Sequence, residues 1–254
     1  MRPVAEDSRY AVLLARPEAR DPMALAKALA AARKTPLQDQ MMAAKNGWGI
    51  LAENLGEEEA KALAQALRSS GVESVVCPSS SLVRLPPAEP ATTYPSASAF
   101  QPVLIAAAGI IITSTTTKTV KEGPSGAQKI LNTAILLGTG LPIKIGGRER
   151  AVQKTQHHSD LVFYLDLLYK DPLRRLRIDA QHFDYSFLKE RKLYQIFGNF
   201  KLLVADLVKA APGAWQNHGT RVLLDGRPIQ SMGYGSLADL ERETRWLLTL
   251  RHHG

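Results

Sequence analysis

The chain has 254 residues, 45% hydrophobic and 22% charged, long enough for two ordinary cores and unlike the composition of disordered chains. One cysteine, Cys77, excludes an intramolecular disulfide and the multi-cysteine zinc ribbons, and it sets a cytoplasmic, reducing location as the expectation. The formal net charge of +8 is one-sided: residues 1–90 hold 11 Lys or Arg against 11 Asp or Glu, whereas residues 91–254 hold 21 against 13, so a polyanionic partner would be sought in the second part.

The first ten residues carry Glu6, Asp7 and Arg9, which does not read as a signal peptide. Tyr10 to Ala15 reads as a short strand. Asp21 and Pro22 then supply an N-cap and a first-turn proline for a helix over Met23 to Lys34. Thr35 and Pro36 repeat that arrangement for a second helix over Leu37 to Lys45, with Gly47 placed to end it. An extended segment at Trp48 to Ala52 follows. Glu57, Glu58 and Glu59 suit the positive end of a helix reaching Ser69, in which Ala60, Leu63, Ala64 and Leu67 form the packing face. Val72 to Cys77 completes a strand, helix pair, strand, helix, strand order, expected to form a small sheet covered by helices on one side.

Within this part, Lys45 to Val76 resembles the C-terminal domain of the ribosomal stalk protein in its glycine-ended strand, its "EEEA" helix start and its "GV" turn into a strand. The lysine-rich factor-binding segment of that family has no counterpart here, so the resemblance implies topology and no function.

Pro86, Pro87, Pro90, Pro95 and Pro102, interleaved with Ser, Thr and Ala, favour extended chain and predict a linker. The expected organisation is a small α/β sandwich-like module at 1–85, a proline-rich linker at 86–102, and a basic α+β module at 103–254 closed by a terminal helix. The second module opens with the apolar run Val103 to Thr113, which is too short to span a membrane as a helix and rich in isoleucine as buried strands are. A helical or mixed segment is expected around Gln128 to Leu137, followed by the turn-rich "GTGLPIKIGG". Asp160 to Tyr169 and Leu173 to Ala180 form the clearest hairpin, with Leu176 and Ile178 toward a core and Arg175, Arg177 and Asp179 on a charged face. Apolar residues from Leu193 to Val208 recur at helical spacing until Pro212 and Gly213, with a break conceivable at Gly198 and Asn199. The last helix starts at Ser236 with Asp239 completing a capping-box variant. It places Leu237, Leu240, Leu247 and Leu248 on one face and Trp246 and Leu250 on the other.

The chemical motifs that define common enzyme classes are missing. "GTGLPIKIGG" lacks both phosphate-loop and dinucleotide spacings, and no G-x-S-x-G or HExxH pattern occurs. His157 and His158 are adjacent and would point to opposite faces of a strand, so a surface loop and no metal site is the reading; a cofactor is not expected either. "DAQHFDYS" gathers Asp179, His182, Asp184, Tyr185 and Ser186, and strand alternation would put His182 and Asp184 on one face, the weak catalytic candidate. The stronger lead is basic: Lys170, Arg174, Arg175 and Arg177, then Lys189, Arg191 and Lys192, a surface that could pair phosphates or a partner's carboxylates unless the interspersed acids neutralise it. Trp246 with Leu250 is a candidate partner or homodimer contact, set against a helix wedged between two surfaces of its own fold. The functional expectation is a non-enzymatic binding or regulatory protein, with a protein partner foremost, a nucleic-acid or phosphate ligand as the alternative, an enzyme centred on 179–186 as the third reading, and no membrane association.

Overall fold

The computed structural model describes residues 9–17, 21–95, 101–122 and 150–253, with side chains described at all of these except 113–122, 150–159 and 253. The expected segments at Gln128 to Leu137 and "GTGLPIKIGG" lie outside them. The chain forms two compact units, Met1–Ile111 with Leu161–Gly254, and Ile112–Asp160. The division therefore falls inside two long strands, and the proline-rich stretch lies within the first unit. Among the described residues, helices and mixed sheets give an α+β fold, and no helix is long and apolar enough to cross a membrane.

In the first unit, strands β1 (Tyr10–Leu14), β2 (Ile50–Leu55) and β3 (Ser74–Pro78) form an antiparallel sheet in the order β2-β1-β3. Helices α1 (Pro22–Arg33) and α2 (Leu37–Asn46) link the first two strands, and α3 (Glu57–Ser69) links the last two. Asp21 caps α1 by accepting from the Met23 and Ala24 amides. Thr35 does not cap α2; its hydroxyl accepts from Gln40 instead. Helix α3 buries Ala60, Leu63, Ala64 and Leu67, as its periodicity predicts. Ala11, Val12, Leu13 and Leu14 are all fully buried. Successive strand residues point to opposite faces, so β1 is covered on both sides and not on one as expected.

The second sheet runs in the order β4-β7-β6-β5-β8, with β4 (Glu89–Pro90), β5 (Leu104–Glu122), β6 (Arg150–Tyr169), β7 (Arg174–Asp179) and β8 (Trp215–Gln216). Strands β6 and β7 are the expected hairpin, antiparallel from Tyr164 opposite Asp179 to Tyr169 opposite Arg174. The proline-rich stretch is docked here: β4 pairs in parallel with β7, and the Ala91 amide donates to Arg177 O. In β5, Leu104 to Ala108 are all buried, which means both faces of this strand are also covered. The backbone at His157 and His158 belongs to β6 and not to a loop; their side chains lie outside the described residues.

Helices α4 (Ile196–Ala210), α5 (His218–Leu224) and α6 (Leu237–His253) complete the unit. Gly198 and Asn199 do not break α4. Asn199 is buried and bonds both the N–H and the C=O of Leu193, pinning the chain that enters the helix. Asn217 caps α5 and joins it to β5: its side chain accepts from the Ala107 and Thr220 amides and donates to Ala107 O, to the Tyr234 hydroxyl and to Glu243 of α6. Glu243, 1% exposed, also receives the Tyr234 hydroxyl and the His218 amide. Its carboxyl oxygens thereby meet three donors, as buried polar groups require.

Helix α6 is wedged between two surfaces of its own unit. Trp246 is 1% exposed; its indole N–H donates to Leu14 O at 2.8 Å, and its ring fills the space beside Gly49, where a Cβ would approach to 2.0 Å. Gly49 has φ +90°, a conformation glycine adopts freely. Trp48, just before it, is buried and stacks on Tyr234 at 4.3 Å. Arg245 pairs with Glu53 on the same side, while Thr249 accepts from the Val83 amide. This burial corrects the reading of Trp246 as an exposed partner contact, and Leu250 is half-buried against the same core. Replacing Trp246 by Ala is expected to cost about 3–5 kcal/mol of stability in urea unfolding, with no change in sedimentation behaviour; a loss below 1 kcal/mol with altered oligomeric state would restore the contact reading.

Candidate functional site

The basic segment is largely consumed by internal pairing. Arg175 and Arg177, two apart on β7, converge on Asp166 of β6. Asp166 is fully buried and accepts from Arg175 Nε and Nη2 at 2.8 and 2.6 Å, and from Arg177 Nε and Nη2 at 2.8 and 2.9 Å. Glu241 of α6 adds a second carboxylate, 2.9 Å from Arg175 and 3.2 Å from Arg177. The expected wet charged face of β7 is thus an ion-pair cluster covered by α6, because two guanidinium forks match one buried carboxylate. Arg174 pairs with Glu89 at 2.6 Å, holding that carboxyl below its ordinary range through a direct hydrogen bond, and Arg191 pairs with Asp206 at 2.6 Å. Of the seven candidate cations the sequence offers, only Lys170, Lys189 and Lys192 are exposed without an ion pair.

The fold does not bring His182 and Asp184 together. His182 Nδ1 lies 2.9 Å from Asp179 Oδ2, whereas Asp184 accepts from the amide and hydroxyl of Ser186 at 2.9 and 2.7 Å. Both carboxylates also organise turns, since Asp179 accepts from the Gln181 amide, the usual role of aspartate in tight loops. The Ser186 hydroxyl holds the Asp184 carboxyl below its ordinary range, and burial pushes the Tyr185 hydroxyl up while it donates to Ala180 O. These are ordered turn contacts, and strand alternation fails as a predictor because residues 180–185 are turn and coil. Cys77 is buried, and burial pushes its thiol up, away from nucleophilic use. Among the described residues no cluster of three or more His, Cys, Asp or Glu could hold a metal ion.

A cleft of about 740 Å³ is lined by three distant segments. Ser80, Ser81, Leu82, Val83 and Arg84 follow β3; Lys170, Asp171 and Leu173 belong to the β6–β7 turn; Leu248, Arg251 and His252 come from the last turns of α6. Val103, entering β5, contributes a fourth piece of wall. Helix α6 fixes the relation of these segments, since Thr249 holds the Val83 amide and Arg251 donates to Val103 O while lying over the Trp215 ring at 5.8 Å. The Arg251 guanidinium is therefore committed to the walls. Arg84 and Lys170 have neither a hydrogen bond nor an ion pair to any described residue, and among the described residues Asp171 is the only acid on the lining.

Of these residues the sequence reading singles out only Lys170. Arg84 is a lone charge between "SSSLV" and a proline pair, and Arg251 and His252 fall within the last four residues of the sequence. The signal available was the isolated Arg84 in an otherwise uncharged stretch; what it faces depends on contacts spanning up to 166 residues. No family model, curated protein or solved structure matches the chain. Asp166→Ala is expected to destabilise the fold by about 3–5 kcal/mol, because it strands two guanidinium groups, one of them buried; thermal and urea unfolding measure this, and a loss under 1 kcal/mol would mean the cluster is solvated.

Proposed function

We propose that the chain is a non-enzymatic binding protein that recognises an anionic ligand in the cleft lined by Arg84 and Lys170. The observation carrying this reading is that these two cations lack partners on a concave surface that also presents five aliphatic side chains, while the arginines of the hairpin are paired. Concave sites with apolar walls and a few placed polar groups are the usual form of small-ligand sites. The alternative of nucleic-acid binding along residues 170–192 loses support from the same pairing, since guanidiniums held by Asp166 and Asp206 have few donors left for phosphate. The enzyme reading loses support from the separate commitments of His182 and Asp184.

A protein contact is favoured by one independent observation, the exposure of Leu193, Tyr194 and Ile196 side by side, with Tyr194 fully exposed. Asn199 fixes the Leu193 backbone, and a Cβ on Gly198 would sit 2.6 Å from Leu193 Cδ1, so the loop is held in place rather than left loose. Exposed tyrosines in rigid settings are common interface anchors, and this surface takes the role that the sequence reading gave to Trp246.

For the cleft, calorimetric titration with inorganic phosphate is expected to give saturable binding that weakens about tenfold in Arg84→Ala and in Lys170→Ala, as loss of a charge-assisted contact implies. Binding should also weaken with added salt. Wild-type affinity in both variants would overturn the reading. For the second surface, Tyr194→Glu is expected to abolish self-association in sedimentation velocity while changing stability by less than about 0.5 kcal/mol; a wild-type chain that stays monomeric at all concentrations contradicts it.

A further inference from the structure

Resting on the anion-binding reading above, we infer that the cleft takes a ligand with a single unbranched aliphatic chain and one anionic head, a carboxylate or a phosphate. The lining supplies the argument by what it contains. Leu82, Val83, Val103, Leu173 and Leu248 are aliphatic, and among the described residues the lining includes no Phe, Tyr or Trp. A site for a nucleotide or another aromatic anion would be expected to offer a ring on which to stack. A site for a sugar would need many convergent hydrogen-bonding groups, and here, among the described residues, the polar side chains besides Arg84, Lys170, Asp171 and Arg251 are Ser80, Ser81 and His252. What remains is chemistry with two ends, aliphatic for the walls and anionic for the cations.

The charges at the cleft have distinct roles. Arg251 is fixed by two backbone oxygens, Val103 O and Gly213 O, and by the Trp215 face, so it shapes the wall. Arg84 and Lys170 are free to pair with the head, and they come from different segments, one after β3 and one in the hairpin turn. Asp171 beside Lys170 disfavours a second negative charge close to the first, which argues for a compact head over a polyanion. Leu173 is 39% exposed on this turn, a large aliphatic side chain with surface left to cover. A cleft of about 740 Å³ is within the range of drug-sized ligand sites, roughly 300–1,000 Å³, and accommodates a chain of medium length.

The test is calorimetric titration of the full chain with acetate, hexanoate, octanoate and decanoate below their aggregation thresholds, alongside decyl phosphate, inorganic phosphate and decyltrimethylammonium. The expected result is a Kd that falls about two- to fourfold per added methylene, the upper figure being full burial of each group. Decyltrimethylammonium should bind at least about tenfold more weakly than decanoate, by the charge-assisted contact it cannot make. Decanoate against decyl phosphate reports which head is preferred. Leu173→Asp, with folding checked by circular dichroism, should flatten the dependence on chain length, and Lys170→Gln should narrow the discrimination between anionic and cationic heads, leaving the part that Arg84 supplies. Phosphate binding with no gain from acetate to decanoate would overturn this inference and leave the anion-binding reading standing. Absence of binding by phosphate and by decanoate would overturn both.

Discussion

The indole of Trp246 fills the space that any side chain at position 49 would need, and its N–H satisfies a backbone carbonyl at the end of β1. The first sheet, the 47–49 turn and the terminal helix are joined through this contact. The helix then carries Glu243 to the Asn217 cap of α5, Glu241 to the arginine pair of β7, and Thr249 to the segment after β3. These contacts are spread from Glu241 to Thr249 along one helix, so the position of α6 sets the geometry of both sheets at once. The cleft depends on the same placement, because one of its walls is the end of α6 and another is held by it.

The second organising feature is that this basic protein satisfies most of its hairpin cations internally. Asp166 receives two arginines in a site almost without solvent. Such clusters add little net stability over a well-packed apolar equivalent, yet are costly to leave half-made. They do specify geometry: a one-residue slip of β7 against β6 would turn both guanidiniums away from Asp166. The excess charge counted along the sequence therefore overstates the positive surface of the hairpin. The two cations at the cleft that lack partners are separated by 86 positions in the chain, Lys170 opening the basic segment and Arg84 standing outside it.

Local patterns in the sequence translated well into local structure. The Asp21–Pro22 start, the α3 packing face, the β6–β7 hairpin and the Asp239 cap at the start of α6 follow from short-range physics, namely capping, periodicity and turn chemistry. Features set by distant contacts did not show. Trp246 is indistinguishable in sequence from an exposed anchor, because Gly49 and Leu14 lie about 200 residues away. The proline-rich stretch reads as free linker, yet Glu89 and Pro90 pair with β7 in a parallel ladder that prolines tolerate at an edge. Arg175 and Arg177 alternate as an exposed face would, and what buries them is the pairing with Asp166 of β6, with the half-exposed Glu241 of α6 at its edge. For the cleft, Lys170 was legible as a cation and Arg84 was not legible as its companion.

The central claim is that recognition is located at the cleft and not along the basic hairpin. Backbone amide chemical shifts, followed by nuclear magnetic resonance as decanoate is titrated into the isotope-labelled full chain, test it most directly. The account predicts saturable shifts confined to residues 80–84, 103, 170–173 and 248–252. Shifts concentrated at residues 174–192, with the cleft unperturbed, would contradict it.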